Sequence, residues 1–400
     1  MHARTEDHTG VRMKRLRLER HLTQKAVVDL SGIPYSTYTK TEQGVLPATP
    51  AVIAAFARGL RIEVATVVGQ PYADELRADE LDILIRPIRE ALDVYDLGAD
   101  PDLQPRRLED LNDDAEALLV AVRAGEIKKA ASNVAGLIEE GTTTAHSLNT
   151  TEGWLTLASF YRTAYDVATK LGFSDLAQLS LARMDWASQR GSDAVLGGMY
   201  QYLRALAYLR EGKFAIGQRL VARGLSTLQQ ADASREREVV TGQLHLGGAV
   251  MAGRAHDENQ ALSHLEEAGR IAGTTGEAVK VHYLTFGPTN VQVHRVSVLA
   301  ELDKYGEAVE ATDGLAIPQD WPKSRISHHY AEVARAQMWT NQIEDSFESL
   351  RRARKAAPQQ AKYHPTVRET YAGLEAAHRR LPESFLSFGS WLSSSGPQVA

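Results

Sequence analysis

The sequence predicts an all-α protein, with a small helical domain at the N-terminus and a longer helical array behind it. Three observations predict this. Ala, Leu, Glu, Arg and Gln are abundant, while runs of alternating Val and Ile are few. From Arg106 onward, helix-length segments alternate with short Gly-, Asp- or Thr-rich breaks. Several of those segments look like copies of one another. At 400 residues the chain has room for two or three domains.

The first unit runs from about Val11 to Tyr72. Its first helix is basic, with Val11, Leu16 and Leu18 or Leu22 as apolar anchors. Thr23 is a natural N-cap for the second helix, and Gly32 supplies the left-handed residue that closes it. A third helix begins around Tyr35, a fourth spans 48–62 and a short fifth spans 64–69. Two helices joined by a tight Gly-containing turn form a helix-turn-helix. A helix from about Asp74 to Tyr95 follows, which Pro87 is expected to kink or split. Residues 98–105, GADPDLQP, read as a loop.

Beyond Arg106, the stretches 208–225, 299–315 and 338–358 each carry a small turn, then Phe214, Tyr305 or Ile343, then a helix with small residues facing inward. A weaker copy spans 253–271, near His256. The spacing is irregular, at about 40 residues, against 34 for a standard tetratricopeptide repeat. Such a helix pair has one apolar face too small to bury itself, so pairs stack into a solenoid with a concave surface. The expected division is a helix-turn-helix domain over 1–72, a linker helix and loop over 73–105, a tetratricopeptide-like solenoid over 106–384 and a Ser/Gly-rich, loosely ordered tail over 385–400, with Phe385, Phe388 and Trp391 candidates to dock onto a last repeat.

Charge and composition narrow the function. The chain has a net charge of −6, yet residues 1–72 hold ten basic side chains against six acidic, leaving +4 there and −10 on the rest. An anionic partner is expected for the first unit alone. The absence of cysteine excludes a disulfide framework and a Cys-ligated metal. No apolar run approaches the roughly 18 residues of a membrane span, and MHARTEDHTG lacks a signal-peptide core, so a cytoplasmic location is expected. Phosphate-loop, zincin, nucleophile-elbow and dinucleotide fingerprints do not occur, and His328-His329 has no suitably spaced partner. No enzyme activity, metal or cofactor is expected.

Leu22-Thr23-Gln24, Ala26, Gly32-Ile33, Ser36-Thr37, Lys40, Glu42, Gly44 and Leu60-Arg61-Ile62 stand in one ordered set. Through them, Val11 to Tyr72 resembles the phage-repressor/Cro-like (XRE-type) helix-turn-helix family. A recognition helix turns its N-terminal residues to base edges in the major groove, which assigns Tyr35, Ser36, Thr39 and Lys40, while helical spacing turns Tyr38 and Thr41 toward the core. The resemblance implies phosphate contact by Gln24. Gln43 is a second phosphate candidate, and Arg12 and Arg15 are basic candidates on helix one. It also implies a structural ion pair between Arg17 and Glu42. Pro34 and Tyr35 depart from the family, which often has Ser and a long polar residue there, so base specificity does not transfer.

The overall architecture resembles peptide-sensing transcription factors of Gram-positive bacteria and related actinobacterial regulators. That likeness implies an operator-binding homodimer whose solenoid takes a short peptide or small organic effector, with no membrane partner. Control by a protein gripped in the solenoid stays open as an alternative. In the segment 283–302, Gly287-Pro288 breaks the chain, Thr289 is expected to cap a helix, and Asn290, His294 and Ser297 share a face. Asn290 can donate to and accept from a ligand backbone. Arg183, Trp186, Tyr202 and Gln243 are further ligand candidates, alongside Arg162, Tyr165 and His245.

Overall fold

The computed structural model describes residues 8–69, 78–377 and 382–393. The expected domain boundary at 72, the start of the linker helix at Asp74 and the end of the tail lie outside them. The described residues are helical almost throughout; their β structure is one isolated bridge, Ala278 to Phe286. Among them no helix is long and apolar enough to cross a membrane.

The first domain contains α1 (Thr9–Glu19), α2 (Gln24–Ser31), α3 (Tyr35–Glu42), α4 (Pro50–Leu60) and α5 (Val64–Val68). Thr23 accepts from the Ala26 amide at 3.1 Å and starts α2, and Gly32, at φ 74°, ends it. The core comprises Met13, Leu16, Val27, Ile33, Tyr38, Ile53, Phe56 and Val67. One expected anchor, Val11, is corrected, and of Leu18 or Leu22 it is Leu22 that packs against this core. Val11 is 37% exposed and Leu18 53%. The buried stripe of α1 is Thr9, Arg12, Met13, Leu16 and Arg17, a helical spacing that turns positions 11 and 18 outward.

α6 (Ala78–Asp93) stays unbroken through Pro87. Ile85, Ile88, Ala91 and Leu92 are buried in the main core, and that packing holds the helix despite the missing amide. The helix expected as a linker is therefore part of the solenoid wall. Six hairpins follow: α7 (Leu108–Ala124) with α8 (Ile127–Leu148), α9 (Thr151–Leu171) with α10 (Ser174–Gly191), α11 (Ala194–Arg210) with α12 (Phe214–Leu228), α13 (Arg235–Arg254) with α14 (Glu258–Thr275), α15 (Pro288–Glu301) with α16 (Tyr305–Glu310), and α17 (Lys323–Trp339) with α18 (Ile343–Ala356). Phe214, Tyr305 and Ile343 each open the second helix of their hairpin. The chain ends in α19 (Pro358–Tyr363), α20 (Pro365–Ala377) and α21 (Glu383–Ser393). For residues 385–393 the expected loose order is corrected, while the docking of Phe385 and Phe388 holds. Residues 385–393 are helical, with Phe385 and Phe388 buried against Phe347 and Tyr371.

The first helices of successive hairpins line the inside, and α17 packs against α7. Lys170 Nζ donates to Gln360 Oε1 at 3.1 Å across the same closure. The solenoid thus curls until its two ends touch. The N-terminal domain is clamped to it. Glu369 of α20, 8% exposed, accepts from the Thr9 amide (3.1 Å) and the Ala48 amide (3.3 Å), backbone donors at the starts of α1 and α4. Arg58 donates to the Gly212 carbonyl at 3.4 Å, and Ser174 to Glu63 at 3.2 Å.

Glu369→Ala removes both acceptors and leaves two donors unpaired at the seam. We expect a loss of about 2 kcal/mol, read by urea denaturation, with faster hydrogen exchange at Thr9 and Ala48.

Candidate nucleic-acid interface and polar interior

The interface is assembled from α2 and α3. Pro34 is the N-cap of α3 and not part of its first turn, and its carbonyl accepts from the Tyr38 amide at 2.9 Å. Tyr38 and Thr41 face the core at 0% and 1% exposure. That phase leaves Tyr35, Ser36, Lys40 and Gln43 exposed and Thr39 half-buried, its hydroxyl donating to the Tyr35 carbonyl at 2.6 Å.

Beneath this surface sits an ion pair. Arg17 Nε and Nη2 donate to Glu42 Oε2 and Oε1 at 3.0 and 2.6 Å, and Arg17 Nη1 donates to the Leu22 carbonyl at 2.9 Å. Burial pushes the Glu42 carboxyl up, but hydrogen bonds from Arg17 and Gln24 outweigh it and hold it below its ordinary value of 4.5. Gln24 Nε2 reaches Glu42 Oε1 at 3.3 Å, and the Tyr35 hydroxyl donates to Gln24 Oε1 at 3.4 Å. The pair is therefore linked, through Gln24, to the first residue of the recognition helix. Nε2 keeps a second hydrogen for a phosphate.

Of the two basic candidates on α1, one is corrected. Arg12 is 6% exposed, and its guanidinium donates to the Val67 carbonyl (3.1 Å) and Thr9 Oγ1 (2.8 Å), tying α1 to α5. A side chain so enclosed does not meet a phosphate. Arg15 stays exposed, 3.8 Å from Glu19.

The ligand candidates separate into two places. Arg183 and Trp186 lie on α10, against α6 and away from the concave face. Arg183 donates to the Leu92 carbonyl at 2.8 Å and stacks over Tyr95, and Trp186 meets Tyr95 and Trp154 edge-on. Their assignment to a ligand site is corrected: the aromatic cage they form is filled by α6. His245 is likewise taken, 2.9 Å from His264 of α14, and burial pushes it down to about 4. His328 pairs with His364 at 3.1 Å.

Tyr202, Gln243, Asn290 and His294 do face the interior. Gln243 donates to the Tyr202 hydroxyl at 2.7 Å. Asn290 is fully buried, and its Oδ1 accepts from Arg325 Nε and Nη2 at 3.0 and 2.7 Å. His294 Nδ1 donates to the Asn290 carbonyl at 2.8 Å; burial, then Arg325, keeps the ring neutral. Thr289 does not cap α15. Gly287 is the N-cap, and Glu277 accepts the Thr289 amide at 2.8 Å. Tyr165 donates to the Leu203 carbonyl at 3.2 Å and accepts from Arg210 at 2.9 Å.

Arg123 of α7, Arg325 of α17 and the connection 276–287, which turns back into the concave face, are not among the candidates named from the sequence. Arg123 donates to the Tyr283 carbonyl and Thr285 Oγ1, and Arg162 to the His282 carbonyl. The available signal was a twelve-residue connection bracketed by Gly276 and Gly287, where the hairpin turns take far fewer residues.

Residues 8–67 match the family model described as a helix-turn-helix domain. No curated protein and no solved structure matches the chain. The chain thus carries an N-terminal helix-turn-helix domain on an all-α solenoid, and this supports a DNA-binding regulator.

Removing one partner of the buried pair strands the other. Glu42→Gln should cost roughly 3 kcal/mol at neutral pH by denaturant titration. Because the folded carboxyl is held low, the pair's contribution is complete above pH 4.5 and is lost as pH falls through the folded value. The gap between the parent and Glu42→Gln should therefore close in acid.

Proposed function

We propose that the protein is a sequence-specific transcriptional regulator that binds its operator as a homodimer and is controlled by a small signal, a short peptide or small organic molecule, held in the solenoid. One short recognition helix reads few base pairs, so two half-sites about one helical turn apart are needed for useful affinity. Lys40 is assigned to guanine O6 or N7, and Tyr35, Ser36 and Thr39 to the neighbouring base edges. Gln24, Gln43 and Arg15 are assigned to phosphates.

The observation that carries the reading is the course of α17. Its first turn places Arg325 against Asn290 and His294 in the interior. Its last turn places Met338 and Trp339 at a crevice shared with Pro47, Ala48 and Ile53 of the DNA-binding domain. One helix of 17 residues, about 25 Å long, thus touches both sites. A shift of its first turn would tilt the clamped domain and change the spacing of two recognition helices in a dimer. Such coupling is a difference in affinity and is reciprocal.

The test is a salt titration of binding to a DNA fragment from the gene's own promoter. The intact chain should bind with sequence preference and weaken as salt rises. Lys40→Ala should lose the preference. Arg15→Ala should weaken binding evenly across sequences and lower the salt slope by about 1. Sequence-blind binding that Lys40→Ala leaves unchanged would overturn the reading.

A further inference from the structure

The concave face gathers more cations than carboxylates, and none of those cations is directly ion-paired. Arg123, Arg162, Lys170, Arg210 and Arg325 come from four of its helices, and among the described residues no carboxylate lies within 4 Å of any of them. Asp166, half-buried, is a carboxylate whose field reaches Arg123, Arg162, Lys170 and Arg210. Glu116 stands beside Tyr283. Burial pulls Arg123 down to about 10 and lowers Arg162 and Arg325 as well. Like charges held together in a partly dry interior repel one another, so an anion that joined them would be favoured.

Neutral protein oxygens fill that place at present. Arg123 and Arg162 are satisfied by the carbonyls of Tyr283 and His282 and the hydroxyl of Thr285. These three residues belong to a loop whose neck is the Ala278–Phe286 bridge, with the Ala278 amide donating to the Phe286 carbonyl at 2.7 Å. Phe286 is fully buried on Gly242 of α13, where a Cβ would come within 2.1 Å of its ring, so only glycine admits it. Between neck and tip the loop is strained. His282, Tyr283 and Thr285 have φ of 43°, 52° and 58°, a region costly for side chains of this kind.

The neighbourhood also leaves polar atoms unused. Arg162 Nε, Asn290 Nδ2 and Gln243 Oε1 are buried without partners, on side chains 8%, 0% and 3% exposed. Two are donors and one is an acceptor. Each unmade bond at such a site costs free energy that an incoming group would recover.

We propose that the concave face is a binding site for a small organic anion, a carboxylate or phosphate ester that also carries a hydrogen-bond donor, and that the loop 276–287 occupies the site in its absence. The anion takes the guanidinium groups of Arg123 and Arg162 from the loop carbonyls and engages Arg325, while its donor meets Gln243 Oε1. The strained loop tip is released, and Phe286 keeps the neck in place. This names the chemistry of the signal and rests on the reading of the solenoid as the sensing domain.

The experiment uses the full chain with inorganic phosphate and, separately, malate, whose hydroxyl supplies the donor, each against sodium chloride at equal ionic strength. The two arms distinguish phosphate from carboxylate recognition. At saturation, one of them should raise the melting midpoint by about 3 °C or more and speed hydrogen exchange over 276–287. The double variant Arg162→Gln, Arg325→Gln should lose that shift. Thr285→Ala leaves all the arginines intact and loosens the loop, so it should tighten anion binding several-fold. Midpoints equal to the chloride control in both arms, or a shift that survives the double variant, would overturn the site. Unchanged affinity in Thr285→Ala would overturn the exchange with the loop. Anion binding that leaves operator affinity untouched would overturn the sensing function and leave the site standing.

Discussion

Each helix pair beyond residue 106 has more apolar surface than it can bury by itself, and the rest of the architecture follows from that constraint. Stacking covers the surface, and small residues let the helices approach. Leu157, Phe160, Tyr161 and Val167 of α9 are all buried this way. The twist that accumulates from pair to pair brings α17 back to α7. Once the ring closes, side chains on its inner face can no longer choose water or protein freely. They must satisfy one another, and there they are mostly donors.

The two domains solve the same electrostatic problem in different ways. In the N-terminal domain, Arg17 is matched by Glu42 with two hydrogen bonds, so the buried charge is neutral as a unit. The match also fixes the recognition helix, because Glu42 is its last residue. Inside the solenoid, Arg123 and Arg162 have no described carboxylate within 4 Å and donate to uncharged oxygens of a loop, with Asp166 acting on them from farther off. The first arrangement suits a scaffold that must not move. The second suits a site that exchanges partners.

The seam between the domains combines a few polar contacts with close apolar approaches, Pro47 at Gly373 and Ala54 at Gly212. Glu369 holds two backbone amides, and Arg58 and Glu63 each make one further contact. A seam of this kind joins the domains while the first keeps a core of its own. It also leaves Tyr35, Ser36, Lys40 and Gln43 on the open side.

The sequence by itself determined what local physics controls. The capping Thr23, the left-handed Gly32, the helix-forming composition and the openings at Phe214, Tyr305 and Ile343 are legible because each depends on a few neighbouring residues. The facing of Tyr38 and Thr41 toward the core was legible for the same reason. Tertiary structure decided the rest, because it depends on which faces meet. Arg12 and Arg15 read alike as basic residues of α1, yet α5 encloses one and leaves the other in water. Arg183 and Trp186 read as ligand candidates, yet Leu92 of α6 and Tyr95 just beyond it engage them. Arg123 and Arg325, 202 positions apart, share a site only because the ring closes, and no local pattern records that closure.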